Sequence, residues 1–219
     1  MITGVLPRHC LAALTALILF ASPTTHATVG GAEEIEVLGI AKDNKLYVLR
    51  HYYDTSDRLP QLYYFNLSSK KPEKLITVHS LYINPTTNKP DYDSDDHNQF
   101  FKKLTTLQQR LTPLQPIDSS TIKLGILSLK TKQVVAWYDL YNDSKSRQQK
   151  DKVPQYHYRY QLTNTPLKSA PQTAISYQKD LRIHQTYALP NQRYQLAVVR
   201  YLGINFETGY HIDDAVLLK

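Results

Sequence analysis

Cysteine is almost missing from this sequence. The one thiol, Cys10, stands ahead of an apolar run over residues 11–21, and no other follows it. Beyond that run there can be no disulfide staple, no thiolate zinc site and no cysteine nucleophile. Glycine is scarce as well, at seven residues. A glycine-rich phosphate cradle does not occur, and neither does the Gly-x-Ser-x-Gly elbow of a serine nucleophile. The longest apolar run is about half of the ~20 residues a membrane-spanning helix needs.

That run has a different use. Arg8 and His9 precede it, and Thr25-His26-Ala27 follows it as a small-x-small site. The pattern predicts a secretory signal over residues 1–27, cleaved after Ala27. It places the mature chain in the periplasm or outside the cell, with no transmembrane segment. A lipoprotein signal needs its cysteine after the apolar run, and Cys10 comes before it. Residues 28–219 are then expected to form a single β-rich domain. A secreted domain without disulfides has to be held by its core, which favours one large unit over several small ones.

The whole chain carries 26 Lys and Arg against 19 Asp and Glu, a net charge of +7, and loss of Arg8 leaves +6. A basic exported protein suits an anionic envelope component or a glycan as partner. No nucleic-acid-binding motif accompanies the basic residues, so nucleic acid is not expected.

The fold class reads as mainly β (α+β): antiparallel sheets of meander or hairpin type with one packed amphipathic helix. Residues 35–40, 46–53 and 62–67 are three apolar runs bounded by turn residues. Lys42-Asp43-Asn44-Lys45 predicts a tight turn, since Asp and Asn tolerate positive φ. Both alternating sets of 46–53 are largely apolar, so that strand is expected centrally, with Leu46, Val48 and Leu49 in the core. A fourth strand is read over 75–83. Phe100, Leu104, Leu107 and Leu111 form a helical stripe over 95–111, capped by Asp93 or Ser94 and closed by Pro113 and Pro116. Residues 122–129 and 133–141 are read as a second hairpin turning at Lys130-Thr131-Lys132. Two more strands are read over 193–202 and 210–218. Loops are expected near 84–94, 142–153 and 163–173. One blade-like stretch at 43–67 does not repeat, so a full β-propeller is not expected.

With these segments placed, the chain resembles a bacterial family of predicted secreted proteins of unknown function. The resemblance lies in the Val37-Leu38-Gly39-Ile40 strand with its Asp43 turn, the 62–67 strand, the single helix after an acidic loop, and Val198-Val199-Arg200 leading to Phe206-Glu207. Asn44 stands where the pattern has glycine, and so do Asn205 and Thr208 around Phe206-Glu207. The resemblance implies export and a β-rich fold, and supplies no catalytic residue.

Three sets of residues could carry chemistry. Asp91, Asp93, Asp95 and Asp96 alternate as calcium ligands do, but Asp96 and Lys102 stand where such a loop needs glycine and glutamate. Helix capping is the other use of these carboxylates. His211, Asp213 and Asp214 could meet in a metal site, though no histidine pair has a zinc spacing. A hydrolase site would have to be assembled in the fold from distant carboxylates and histidines, none of which the sequence singles out. Tyrosine is abundant, at 17 residues, and Tyr156, Tyr158 and Tyr160 share one face of a strand, interleaved with His157 and Arg159. That face is a candidate ligand-binding surface. No catalytic residue, metal or cofactor is assigned. The expectation is an exported, non-enzymatic binding or envelope-associated protein, with an envelope hydrolase as the alternative.

Overall fold

The computed structural model describes residues 32–53, 58–84, 86–92, 97–136, 139, 150–190, 193–203 and 210–219, with backbone alone for His97 and Asn98. The predicted signal and its cleavage site lie outside these residues, as do Asp93–Asp96 and residues 204–209.

The fold is mainly β: the described residues form two mostly antiparallel sheets with one short α-helix, and among them there is neither a closed barrel nor a propeller. The strands are β1 (Glu33–Ile40), β2 (Lys45–Tyr52), β3 (Gln61–Asn66), β4 (Leu75–Thr77), β5 (Gln115–Pro116), β6 (Lys123–Val135), β7 (Lys152–Asn164), β8 (Leu167–Lys168), β9 (Gln172–Ser176), β10 (Arg182–Ala188), β11 (Gln195–Leu202) and β12 (His211–Leu218). The helix, α1, spans His97–Gln108. The first sheet has eight strands in the order β4-β3-β2-β1-β12-β11-β10-β5. In the second, β7 pairs with β6, β8 and β9.

β1, β2 and β3 form the expected meander. The β1–β2 turn closes with Asn44 at φ 61, the left-handed region that an Asn side chain tolerates. β2 is central, between β1 and β3. Its alternation sends Leu46 and Val48 into one hydrophobic cluster and Leu49 into another on the opposite face. Phe100 and Leu104 of α1 meet Leu49 and Leu62 in that second cluster, so the helical stripe covers the outer face of β2 and β3.

The eight-stranded sheet is not flat. β3 and β11 stand four strand spacings apart, about 19 Å in a flat sheet. Yet Tyr194, just before β11, donates its hydroxyl to the Leu67 carbonyl just after β3, at 3.2 Å. The sheet therefore curls, and Leu46, Val48 and Phe65 share an inner core with Leu196, Val198 and Leu217. The fold-over lies at the parallel β1–β12 pair, registered at Glu33 and Ile212. At the other end of β1, Ile40 pairs with Thr112 instead, by two backbone bonds of 2.9 Å. Gly39 makes this approach possible. Its φ is +131°, and a Cβ there would sit 2.5 Å from the Thr112 carbonyl oxygen.

Several expectations are corrected. The fourth strand stops at Thr77, and Ser80–Tyr82 is a 3-10 turn. Tyr82 is drawn inward there, because its hydroxyl accepts from the Leu62 N–H at 2.8 Å and donates to the Pro60 carbonyl. The hairpin at Lys130–Lys132 does not exist. β6 runs straight through those residues and pairs with β7 along its whole length, from Lys123–Thr163 to Val135–Lys152. Lys-Thr-Lys contains no residue suited to the positive φ that a tight hairpin turn demands, so the chain stays extended. Much of 163–173 is also paired. It holds the end of β7, a turn at Thr165-Pro166, β8 and the start of β9. No helix among the described residues is long and apolar enough to cross a membrane.

Candidate functional site

The second sheet is where the candidate tyrosines lie. Tyr156, Tyr158 and Tyr160 do share a face, but it points inward. Tyr158 is 6% exposed and Tyr160 0%. Both pack against Val199, Tyr201 and Val216 of the first sheet, with Tyr156 at the margin of the same cluster. The alternation is as the sequence implies; what the sequence cannot say is which side of β7 meets another sheet. The aromatic side does, because it offers far more apolar area than His157 and Arg159.

Tyr160 also buries its hydroxyl without a hydrogen-bond partner among the described residues. Burial, and behind it the nearby charge of Asp214, push that hydroxyl's pKa well above the usual tyrosine range. A stranded hydroxyl costs about 1–3 kcal/mol. Tyr160→Phe is thus expected to leave stability unchanged or raise it. Tyr82→Phe, which strands the Leu62 N–H and the Pro60 carbonyl, is expected to cost about 1–3 kcal/mol. Urea titrations of the two variants check the contrast, and a Tyr160→Phe loss as large as that of Tyr82→Phe would contradict it.

Asp213, Asp214 and His211 do not converge on one point. As neighbours along β12, Asp213 and Asp214 face opposite sides of the strand, and all three belong to a charged seam where β1 meets β12. Arg200 donates to Asp213 twice, at 2.7 and 2.8 Å. Arg50 donates to Glu33 at 2.7 Å and to Asp214 at 3.1 Å, and Tyr201 donates to the other Asp214 oxygen at 2.9 Å. His211 Nε2 lies 2.9 Å from Glu34. Burial raises the Asp214 carboxyl above the ordinary aspartate value, against the pull of Arg50 and Tyr201. Each aspartate is taken up by a guanidinium, as suits a seam that joins strands. No three His, Cys, Asp or Glu side chains among the described residues are grouped to hold a metal. Of the acidic loop, Asp91 alone is described, and it accepts from Asn84 at 3.4 Å.

The feature that sequence reading missed is β6. Its pairing with β7 occupies one edge, and no other strand among the described residues pairs with its second edge. β7 and β9 approach β11 and β12, and Leu124 at the start of β6 packs against the same cluster. From Gly125 to Gln133 β6 is exposed and overhangs the core. Ile126 is 46% exposed, Leu127 49% and Leu129 41%, and Ile175 of neighbouring β9 is exposed as well. The register puts Ile126 and Leu129 opposite Tyr160 and Tyr158, on one face, and Ser128, Lys130 and Lys132 opposite Arg159, His157 and Gln155, on the other.

Charge is segregated between the sheets. The four strands of the second sheet carry Lys123, Lys130, Lys132, Lys152, Arg159 and Lys168, all exposed, and contain no Asp or Glu. The carboxylates gather instead at Glu33, Glu34, Glu36, Asp213 and Asp214 of β1 and β12. One sheet thus presents a positive potential beside exposed aliphatic side chains. Comparison with protein families, curated proteins and solved structures finds no match to this chain.

Proposed function

We propose that this is an exported, non-enzymatic binding protein that engages an anionic component of the bacterial envelope through its second sheet. The observation that carries the proposal is that the four strands of that sheet contain six exposed cations and no Asp or Glu. A random scatter of a chain with 19 acidic residues would put some of them there. Aligned cations on one surface raise the local concentration of an anionic partner and speed its capture. Export is inferred from Arg8, the 11–21 run and the Thr25–Ala27 site, and agrees with the resemblance to the secreted family.

The test is sedimentation with phosphatidylglycerol-rich vesicles and, separately, with polyglutamate linked to beads, at low and high salt. Binding to at least one probe is expected, weakening as salt screens the charges. The double variant Lys130→Glu/Lys132→Glu should weaken it by about tenfold or more. Lys45→Glu, on the first sheet, should change it little. No salt-sensitive binding to either probe would overturn the proposal.

A further inference from the structure

We infer that the edge of β6 left unpaired among the described residues is a docking site for an extended acidic segment of another protein, which adds to the second sheet as a further strand. This rests on the anionic-partner reading and names the partner and the way it is held.

The edge has the properties strand addition requires. β6 is 13 residues long and offers a row of backbone donors and acceptors about 44 Å from end to end, interrupted at the bulge between Ile126 and Ser128. Natural sheets usually shield such an edge with charge, proline or a cover. Here the shield is incomplete. Lys123 guards one end and Lys130 and Lys132 the other, while Gly125-Ile126-Leu127-Ser128-Leu129 between them has no charge at all. The strand bulges between Ile126 and Ser128, so Leu127 is an extra residue within this uncharged window.

The flanking lysines also discriminate among strands. A second copy of β6, laid antiparallel with the apolar windows matched, would set Lys123 opposite Thr131, between Lys130 and Lys132 of the other copy, at both ends. Three lysines gathered at each end repel one another. An acidic strand meets attraction at the same places. The two faces of β6 set the rest of the pattern. Aliphatic side chains of the partner lie beside Ile126 and Leu129, and carboxylates lie beside Lys130 and Lys132, so the preferred segment alternates acidic and aliphatic residues. Backbone bonds would supply affinity, and the alternation would supply selection.

The experiment uses the whole protein and three synthetic octapeptides: one alternating Glu and Val, one alternating Lys and Val, and the Glu-Val peptide with every backbone amide methylated. Binding is followed by calorimetry, and hydrogen exchange of the β6 amides is read in parallel. The Glu-Val peptide should bind saturably and slow exchange within 125–132. Its methylated form, with the same charges but no donors, should bind at least about tenfold more weakly. The Lys-Val peptide should not bind. Leu129→Glu places a carboxylate in the window at an exposed position, and should abolish binding of the Glu-Val peptide without unfolding the protein. Equal binding of the methylated and unmethylated peptides would overturn strand addition while leaving the anionic-partner reading standing. Failure of the Glu-Val peptide while anionic vesicles still bind would also overturn it, and would make the partner a lipid surface. Failure of every anionic probe would remove both readings together.

Discussion

Asp213→Ala is expected to cost about 3–5 kcal/mol of stability, the range for removing one partner from a buried ion pair. The reason lies in how completely this carboxylate is enclosed. Asp213 is 1% exposed, and its two oxygens take the Nε and Nη2 protons of Arg200 at 2.7 and 2.8 Å. One of them also accepts the Ile35 N–H at 3.4 Å, across from β12 to β1. Alanine would leave a largely buried guanidinium with Glu34 as its nearest acidic contact, at 3.4 Å. Asp213→Asn keeps the shape and one acceptor, so it should lose less. Replacing both partners, as Asp213→Leu with Arg200→Met, should recover much of the loss, because the cost comes mainly from the uncompensated charge and not from the missing attraction. Urea unfolding at neutral pH measures all three. A single-alanine loss below about 1 kcal/mol would show that the seam does not depend on this pair.

The seam matters because it is where the curled sheet is joined. β1 and β12 share a registered pair at Glu33 and Ile212, and side chains tie the rest together. Arg50 of β2 reaches Asp214 and the Asp213 carbonyl, and Arg200 of β11 reaches Glu34. Four strands are thus linked by two guanidinium groups. His211 and the two aspartates, which in the sequence look like a possible reactive cluster, are accounted for by this joint.

The parts of the fold that were legible are those where local chemistry and burial agree. Asn44 announces a turn because few other residues accept its φ. The stripe of Phe100 and Leu104 announces a helix because one face of it is buried against Leu49 and Leu62. β6 was misread for the opposite reason. A strand shows clean alternation only when one of its faces is buried. With most of β6 exposed, its polar residues at 130–132 looked like an interruption. The tyrosines of β7 show a related limit. Alternation assigned Tyr156, Tyr158 and Tyr160 to a common face, but whether that face meets solvent or a second sheet depends on Val199, Tyr201 and Val216, some forty residues or more further along. The cations of the second sheet were hidden in the same way. Lys123 and Lys168 become neighbours in one surface through pairing that no local pattern encodes.

The central place of β2 gives the second large effect, and it can be separated from the seam. Leu46 and Leu49 are 0% and 1% exposed, so each change to alanine should cost about 2–5 kcal/mol. The two leucines serve different contacts. Leu46 lies in the inner core with Val48, Phe65, Leu196 and Leu217, whereas Leu49 lies outside the curl with Leu62, Phe100 and Leu104. Three residues along a strand separate them by about 10 Å, and they share no partner within their clusters. Their losses should therefore add to within about 0.5 kcal/mol in the double variant. Leu49→Ala with Leu104→Ala is the contrasting pair. Both line one cluster between strand and helix, so their coupling should be about 0.5 kcal/mol or more. Denaturation of the three single and two double variants decides the matter. Strong coupling between Leu46 and Leu49, with none between Leu49 and Leu104, would mean that β2 does not divide two cores and that α1 does not cover its outer face.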